Sequence, residues 1–199
     1  MNTNISKILK LRRSHRVLKK DSKITNDEII NLVRDAVMYV PSAFDSQSGS
    51  TVILFGQEHD ALWEITKSVL EDIVPADQFA NTEKKIDTFK AAYGTILFFE
   101  DYEIINDLEE KFPLYKENFA NWSEQGTGML TLAVWLNLTE AGLGASLQHY
   151  NPLIDDEVKK RFNLPTKWRL RGQMPFGSYE QVENPKNFKN IDNRIRIFK

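Results

Sequence analysis

At 199 residues, 27% of them charged and with a net charge of -2, the chain has the length for one domain with a full hydrophobic core, and it lacks the positive balance that nucleic-acid binding needs. It contains no cysteine, which excludes disulfides, thiol nucleophiles and cysteine-ligated metals and suits a reducing compartment. The opening stretch MNTNISKILKLRRS has no apolar secretory segment, and no run reaches the roughly 18 apolar residues of a membrane span, so a cytoplasmic protein is expected.

Residues 4–11 place Ile5, Ile8, Leu9 and Leu11 at helical spacing. A basic cluster follows: Arg12, Arg13, Ser14, His15 and Arg16. Guanidiniums around a serine can grip a phosphate, because their planar forks match its oxygens. A solvated basic turn would read the same way. Thr25 and Glu28 have capping-box spacing at the start of a second helix, whose inner face is expected to be Ile29, Ile30, Val33, Val37 and Val40. Loop 41–48 (PSAFDSQS) ends that helix and precedes a β-prone stretch over 51–55. Its small hydrogen-bonding side chains suit a ligand-holding loop or an ordinary turn.

Residues 58–74 read as an amphipathic helix carrying Leu62, Trp63, Ile65, Val69 and Leu70, and 79–92 as another. Residues 94–99 (GTILFF) form a continuous apolar, β-prone run expected to be a central strand. Glu100, Asp101 and Glu103 close it. Such acids can do acid–base work, bind a metal, cap a neighbouring helix or face water. Residues 111–122 read as a loop with Phe112, Tyr115, Phe119 and Trp122, able to cover an aromatic ligand or to bury itself.

The stretch 121–152 organises the chain. Ser123 is the expected N-cap and Glu124 suits the positive end of the helix dipole. From Met129 to Ala141 the residues are apolar on every face, interrupted by Thr131, Asn137 and Thr139. That pattern describes a core helix or one shared between two subunits. Gly142 is expected to end it in the left-handed conformation. Residues 145–150 read as a strand carrying Gln148, His149 and Tyr150 outward, and Asn151-Pro152 turns the chain. A short helix over 155–162 follows, then apolar/basic alternation from Trp168, the period of a half-exposed strand. The basic tail from Asn184 carries Phe188, Ile195, Ile197 and Phe198 and is expected to dock, on a second subunit.

Several chemistries have no support. There is no P-loop and no G-x-S-x-G elbow. Gly142-x-Gly144 is half a dinucleotide fingerprint, but Leu147 occupies the third glycine position. His15, His59 and His149 lack metal-ligand spacing.

Taken in order, these motifs resemble a known family. Arg12-Arg13-Ser14-His15-Arg16 after a first helix resembles the R-x-S-x-R element of the nitroreductase family of FMN flavoproteins, and Pro41-Ser42-Ala43-Phe44-Asp45-Ser46-Gln47 its P-S-x-x-N-x-Q loop. The run from Trp122 to Pro152, with Gly172-Gln173-Met174-Pro175-Phe176-Gly177, resembles the fatty-acid-repression subgroup. The resemblance implies one domain over 1–199 with an α+β fold: a central, mostly antiparallel sheet flanked by helices, and a long buried core helix at a homodimer interface. It implies that Arg12, Arg13, Ser14 and Arg16 grip the FMN phosphate and ribityl chain. It also implies that Pro41, Ser42 and Gln47 reach the flavin of the other subunit. Asp45 stands where the family usually has Asn, and an acid cannot donate as an amide does. Leu147, Gln148 and His149 would pass the flavin edge, and Lys186 or Lys189 would complete the phosphate site. The implied activity is ping-pong hydride transfer from NADPH or NADH through FMN to a nitroaromatic, quinone or related small-molecule acceptor. The alternative is a flavin-binding regulatory protein of the oxidative-stress or lipid response with incidental reductase activity.

Overall fold

The computed structural model describes residues 4–180 and 186–199. Helix α1 (Asn4–Leu11) leads to a short strand, β1 (Leu18–Lys19), and then to α2 (Asn26–Tyr39). The expected capping box opens α2: Thr25 Oγ1 accepts from the Glu28 backbone N–H at 3.3 Å, and the Glu28 carboxylate accepts from the Thr25 N–H at 2.8 Å. Its buried face is Ile29, Val33 and Ala36. Val37, expected inside, is exposed because it falls off that stripe.

The chain continues through β2 (Gly49–Phe55), α3 (Gly56–Glu71), α4 (Ala76–Lys90), β3 (Gly94–Asp101) and α5 (Tyr102–Lys111). Next come α6 (Lys116–Glu140), β4 (Gly144–Ala145), α7 (Asp155–Phe162) and β5 (Trp168–Tyr179). The sheet order is β1-β5-β3-β2, with β4 paired to β5, and every named pair is antiparallel. The architecture is the expected α+β one.

Strand β3 explains itself. Ile96 and Phe98 pack into a core with α2 and α6, while Leu97 and Phe99 pack into a second core with α3, α4 and α7. Both faces are covered, so the strand carries no polar alternation. In β5, Gly172 pairs with Phe98 and Leu170 with Phe99, which leaves Arg171 as the extra residue of a β-bulge. A bulge bends a strand and re-aims its side chains.

Helix α6 differs from expectation at its start. It begins at Lys116, after a turn at Pro113–Tyr115, so 116–122 is helical rather than looped. Ser123 is therefore no cap; it is buried within the helix and donates to the Ala120 carbonyl at 2.9 Å. Twenty-five residues at 1.5 Å each make a rod of about 37 Å. Gly142, at φ +78°, ends it as expected. The strand expected over 145–150 shrinks to β4 and a bridge between Gln148 and Gln173.

Candidate active site on the two flanks of the core helix

One flank of α6 forms a cleft lined by Glu124, Thr127, Gly128, Thr131, Leu132 and Trp135, closed on the other side by Leu147, His149 and Arg171. The bulge in β5 turns Arg171 towards it. There the guanidinium donates to Glu124 Oε1 at 2.6 Å and to the Tyr102 hydroxyl at 2.7 Å. The cleft thus has Leu132 and Trp135 along its helix wall and an Arg171–Glu124 ion pair at one end.

The basic cluster reaches this cleft from α1. Ser14 bridges to Ala145, and the His15 N–H donates to the Ala145 carbonyl at 2.9 Å. That approach needs Gly144: a Cβ there would lie 2.7 Å from the Tyr179 ring and 3.0 Å from His15 Cβ. Arg12 lies over the Trp135 ring at 4.4 Å, and Trp135 lines the cleft. Beside it, Ser6, Leu9, Lys10, Arg13, Lys186 and Phe188 form a second pocket. No carboxylate among the described residues pairs with Lys10, Arg13 or Lys186. Burial, with the neighbouring Arg13 charge, lowers the Arg12 pKa, and burial with both arginines lowers that of His15. A cluster of cations with no counter-ion among the described residues fits an anion such as a phosphate. Among the described residues no acidic or histidine cluster could hold a metal.

Loop 41–47 lies on the opposite flank. Pro41, Ser42, Ala43 and Phe44 form an apolar recess with Trp122, Gln125 and Met129 of α6. Phe44, Asp45 and Gln47 all have left-handed backbones, at φ 57°, 51° and 50°. Such conformations are costly for side-chain-bearing residues and persist where the surroundings hold them. Here Phe44 sits among the rings of Phe112, Tyr115, Phe119 and Trp122, all within 5.8 Å of its centroid. Gln47 N–H donates to Ser42 Oγ at 2.9 Å, and Gln47 Nε2 donates to Asp45 Oδ1 at 3.2 Å. Asp45 thus serves as an acceptor, the one role an acid keeps.

A sequence profile of the nitroreductase family matches residues 9–178. The chain belongs to this family. Nitroreductase CinD from Lactococcus lactis, with structures holding chloramphenicol in one case and 4-nitrophenol in another, is 44% identical. Its superposition covers 98% of this chain and 100% of that one, with a TM-score of 0.88. HBN1 of Saccharomyces cerevisiae is 30% identical over 195 residues, 96% of this chain and 95% of its own. A Desulfovibrio desulfuricans structure solved with FMN shares the fold at 15% identity and a TM-score of 0.70, covering 97% of this chain and 96% of its own.

In this nitroreductase the motif residues fall into two groups. Arg12 and Arg13 gather with Leu147 and His149 around the cleft and its basic annex, and Lys186, not Lys189, lines that annex. Arg16 is exposed, and Lys189 is exposed outside both linings. Gln148 turns away: its backbone pairs with Gln173 and its amide donates to Ser146 Oγ. Pro41, Ser42, Asp45 and Gln47 stay on the far flank. Sequence reading missed Trp135, Thr127, Glu124 and Arg171 as cleft residues. The alternation starting at Trp168 was the available signal for Arg171.

Proposed function

We propose that the chain is an FMN-dependent oxidoreductase that passes reducing equivalents from NADPH or NADH to a nitroaromatic, quinone or related small acceptor by a ping-pong scheme. The observation that carries this reading is the placing of adjacent arginines at both places: Arg12 lies over Trp135 of the cleft, and Arg13 lines the cation pocket with Lys10 and Lys186. In it, Lys10, Arg13 and Lys186 hold the FMN phosphate, with Arg12, Ser14 and Arg16 along the chain that leads to the ring. Leu147 and His149 border the ring, and Leu132 and Trp135 exclude water from its surroundings. FMN held by these residues would supply hydride transfer between the nicotinamide and the acceptor. Arg171, at the end of the cleft, stabilises negative charge that develops within it. The CinD complexes with 4-nitrophenol and chloramphenicol, and the FMN-bound neighbour, support the substrate and cofactor classes.

The reading includes a homodimer. Helix α1 has no buried residue and exposes Ile5 and Leu9, while α6 exposes Met129 and Leu132. A second copy would cover these faces and bring its own loop 41–47, through Pro41, Ser42 and Gln47, to the cleft. The test is the visible spectrum of the purified protein, followed by anaerobic NADPH or NADH. A yellow protein that bleaches supports the reading, and parallel initial-rate lines support the ping-pong scheme. A colourless protein that takes up no added FMN overturns it.

A further inference from the structure

Glu100 is the last residue but one of the central strand and is 1% exposed. Its Oε1 accepts from the Thr127 hydroxyl of α6. The Ser48 hydroxyl lies against the carboxylate and favours its charged form, yet Oε2 has no hydrogen-bond partner of good geometry among the described residues. A buried carboxylate oxygen left unpaired is costly and calls for an explanation. Two further facts supply one. Glu100 lines a cavity of about 100 Å³ beneath loop 41–48, bounded also by Ser42, Ser46, Ser48 and Ser123, which has room for water. Thr127, its partner, lines the cleft on the other flank of α6. Glu100 and Thr127 therefore connect the two sides of the helix through one hydrogen bond.

We propose that Glu100 and Thr127 form a proton relay that delivers the proton an acceptor needs in the cleft, drawn from water under loop 41–48. The proposal rests on the oxidoreductase reading above. The balance is simple. A quinone acceptor takes a hydride, which is two electrons and one proton, from the reduced flavin, and needs one further proton to become the hydroquinone. When Glu100 is protonated its O–H donates to Thr127 Oγ1 across the same contact, and Thr127 passes its own hydroxyl proton to the acceptor oxygen as it takes the proton from Glu100. The carboxylate left behind regains its proton from bulk solvent, conducted by water in the cavity, so no hydroxide is left there. In the cleft itself Arg171 is paired with Glu124 and offers no proton at neutral pH; His149 also lines the cleft and is the rival donor, so unchanged re-oxidation in Glu100→Gln and Thr127→Val would point to it.

The surroundings of Glu100 favour its protonated form more than water does for a free carboxyl. Burial raises its pKa most, and the Glu124 charge raises it further; the hydrogen bonds from Thr127 and Ser48, and the Arg171 charge, oppose this. On its own strand Asp101 is occupied in capping α5 and accepting from Trp168. The register partner of Glu100 on β5, Arg169, lies over the Tyr102 ring. Asp45 is the acid that the loop contributes to the cavity wall.

The test compares wild type, Glu100→Gln, Thr127→Val and Thr127→Ser in the FMN-loaded protein, following reduction by NADPH and re-oxidation by a quinone as separate half-reactions. Expected is a fall of about 100-fold in the ratio of re-oxidation to reduction rates for Glu100→Gln and Thr127→Val. Their solvent deuterium effect on re-oxidation should disappear, and Thr127→Ser should restore both. An unchanged ratio, or equal loss in both half-reactions, overturns the relay. A second readout needs no flavin. Because the folded pKa of Glu100 is raised, its contribution to stability is full below the unfolded carboxylate value of about 4.3 and is lost as pH rises through the folded value. Urea titrations of the ligand-free protein should show that loss in wild type and not in Glu100→Gln; identical profiles overturn the relay. A wild type that binds no flavin overturns the oxidoreductase reading, and the relay with it. A wild type that cycles while Glu100→Gln matches it overturns the relay alone.

Discussion

His59 shows what a buried titratable residue does for the fold. It is fully buried on α3, with Nε2 3.1 Å from the Lys90 carbonyl and Nδ1 2.9 Å from Thr95 Oγ1. A carbonyl only accepts, so Nε2 carries the hydrogen and Nδ1 accepts from the Thr95 hydroxyl. Thr95 in turn accepts from Trp63 Nε1 at 3.0 Å, which completes a neutral chain. Burial holds the His59 pKa below its ordinary value. The neutral form is thus favoured in the folded state, and unfolding takes up a proton in acid. Stability from His59 should be full above about pH 6.5 and fall as pH drops below it towards the folded value. Urea midpoints across that range would check this, and His59→Gln should flatten the slope. The sequence showed a lone histidine without ligand spacing. Its role was hidden because Lys90 and Thr95 are distant in the chain. Glu100 was hidden for a related reason. Of the acids closing β3, Asp101 caps α5 and Glu103 faces solvent, as such acids do, while Glu100 is covered by a helix arriving from elsewhere. At the cleft, Arg13→Ala removes one charge-assisted contact to the proposed phosphate. That should weaken FMN binding about 10- to 100-fold, measured by calorimetry on the ligand-free protein. Unchanged affinity would remove Arg13 from the site.

At the scale of elements, helices announced by local chemistry were legible and those set by packing were not. The capping box at Thr25 named the start of α2 correctly. Thr25→Ala should lower stability by about 0.5–2 kcal/mol, read from denaturant midpoints with an unchanged slope. Helix α5 went unread because it begins directly where β3 ends, without a polar linker between them. The start of α6 was misplaced because Ser123 and Glu124 imitate a cap. The aromatics before them, Phe119 and Trp122, look like loop residues until their shared packing against Phe44 is known. The strand after α6 was overextended because 147–150 pairs only through Gln148, where Gln173 Oε1 substitutes for the ladder by accepting from the Tyr150 N–H. Central β3 was read correctly, since burial on both faces leaves a continuous apolar run. Phe98→Ala should cost about 3–5 kcal/mol by the same measurement, as the ring is fully buried in a packed core.

At the scale of the molecule, exposed apolar residues lie on α1, at the end of α2, on the outer stripe of α6 and in the tail, where Phe188, Ile195, Ile197 and Phe198 are all open to solvent. In this chain the tail expected to dock does not bury those residues. A proposed second copy gives them a partner, and a charge placed among them should prevent the association. Leu132→Asp is expected to sediment as a monomer and to lose FMN in parallel; a dimer that keeps its flavin would argue against an interface there. The division of the motif residues between the two flanks of α6 has a genetic corollary. If each cleft is finished by the neighbour's loop, a chain defective in Arg13 and a chain defective in loop 41–47 are each inactive alone but complement one another. In the mixed dimer one cleft receives both defects and the other receives neither, so co-expression of two dead alleles should restore activity.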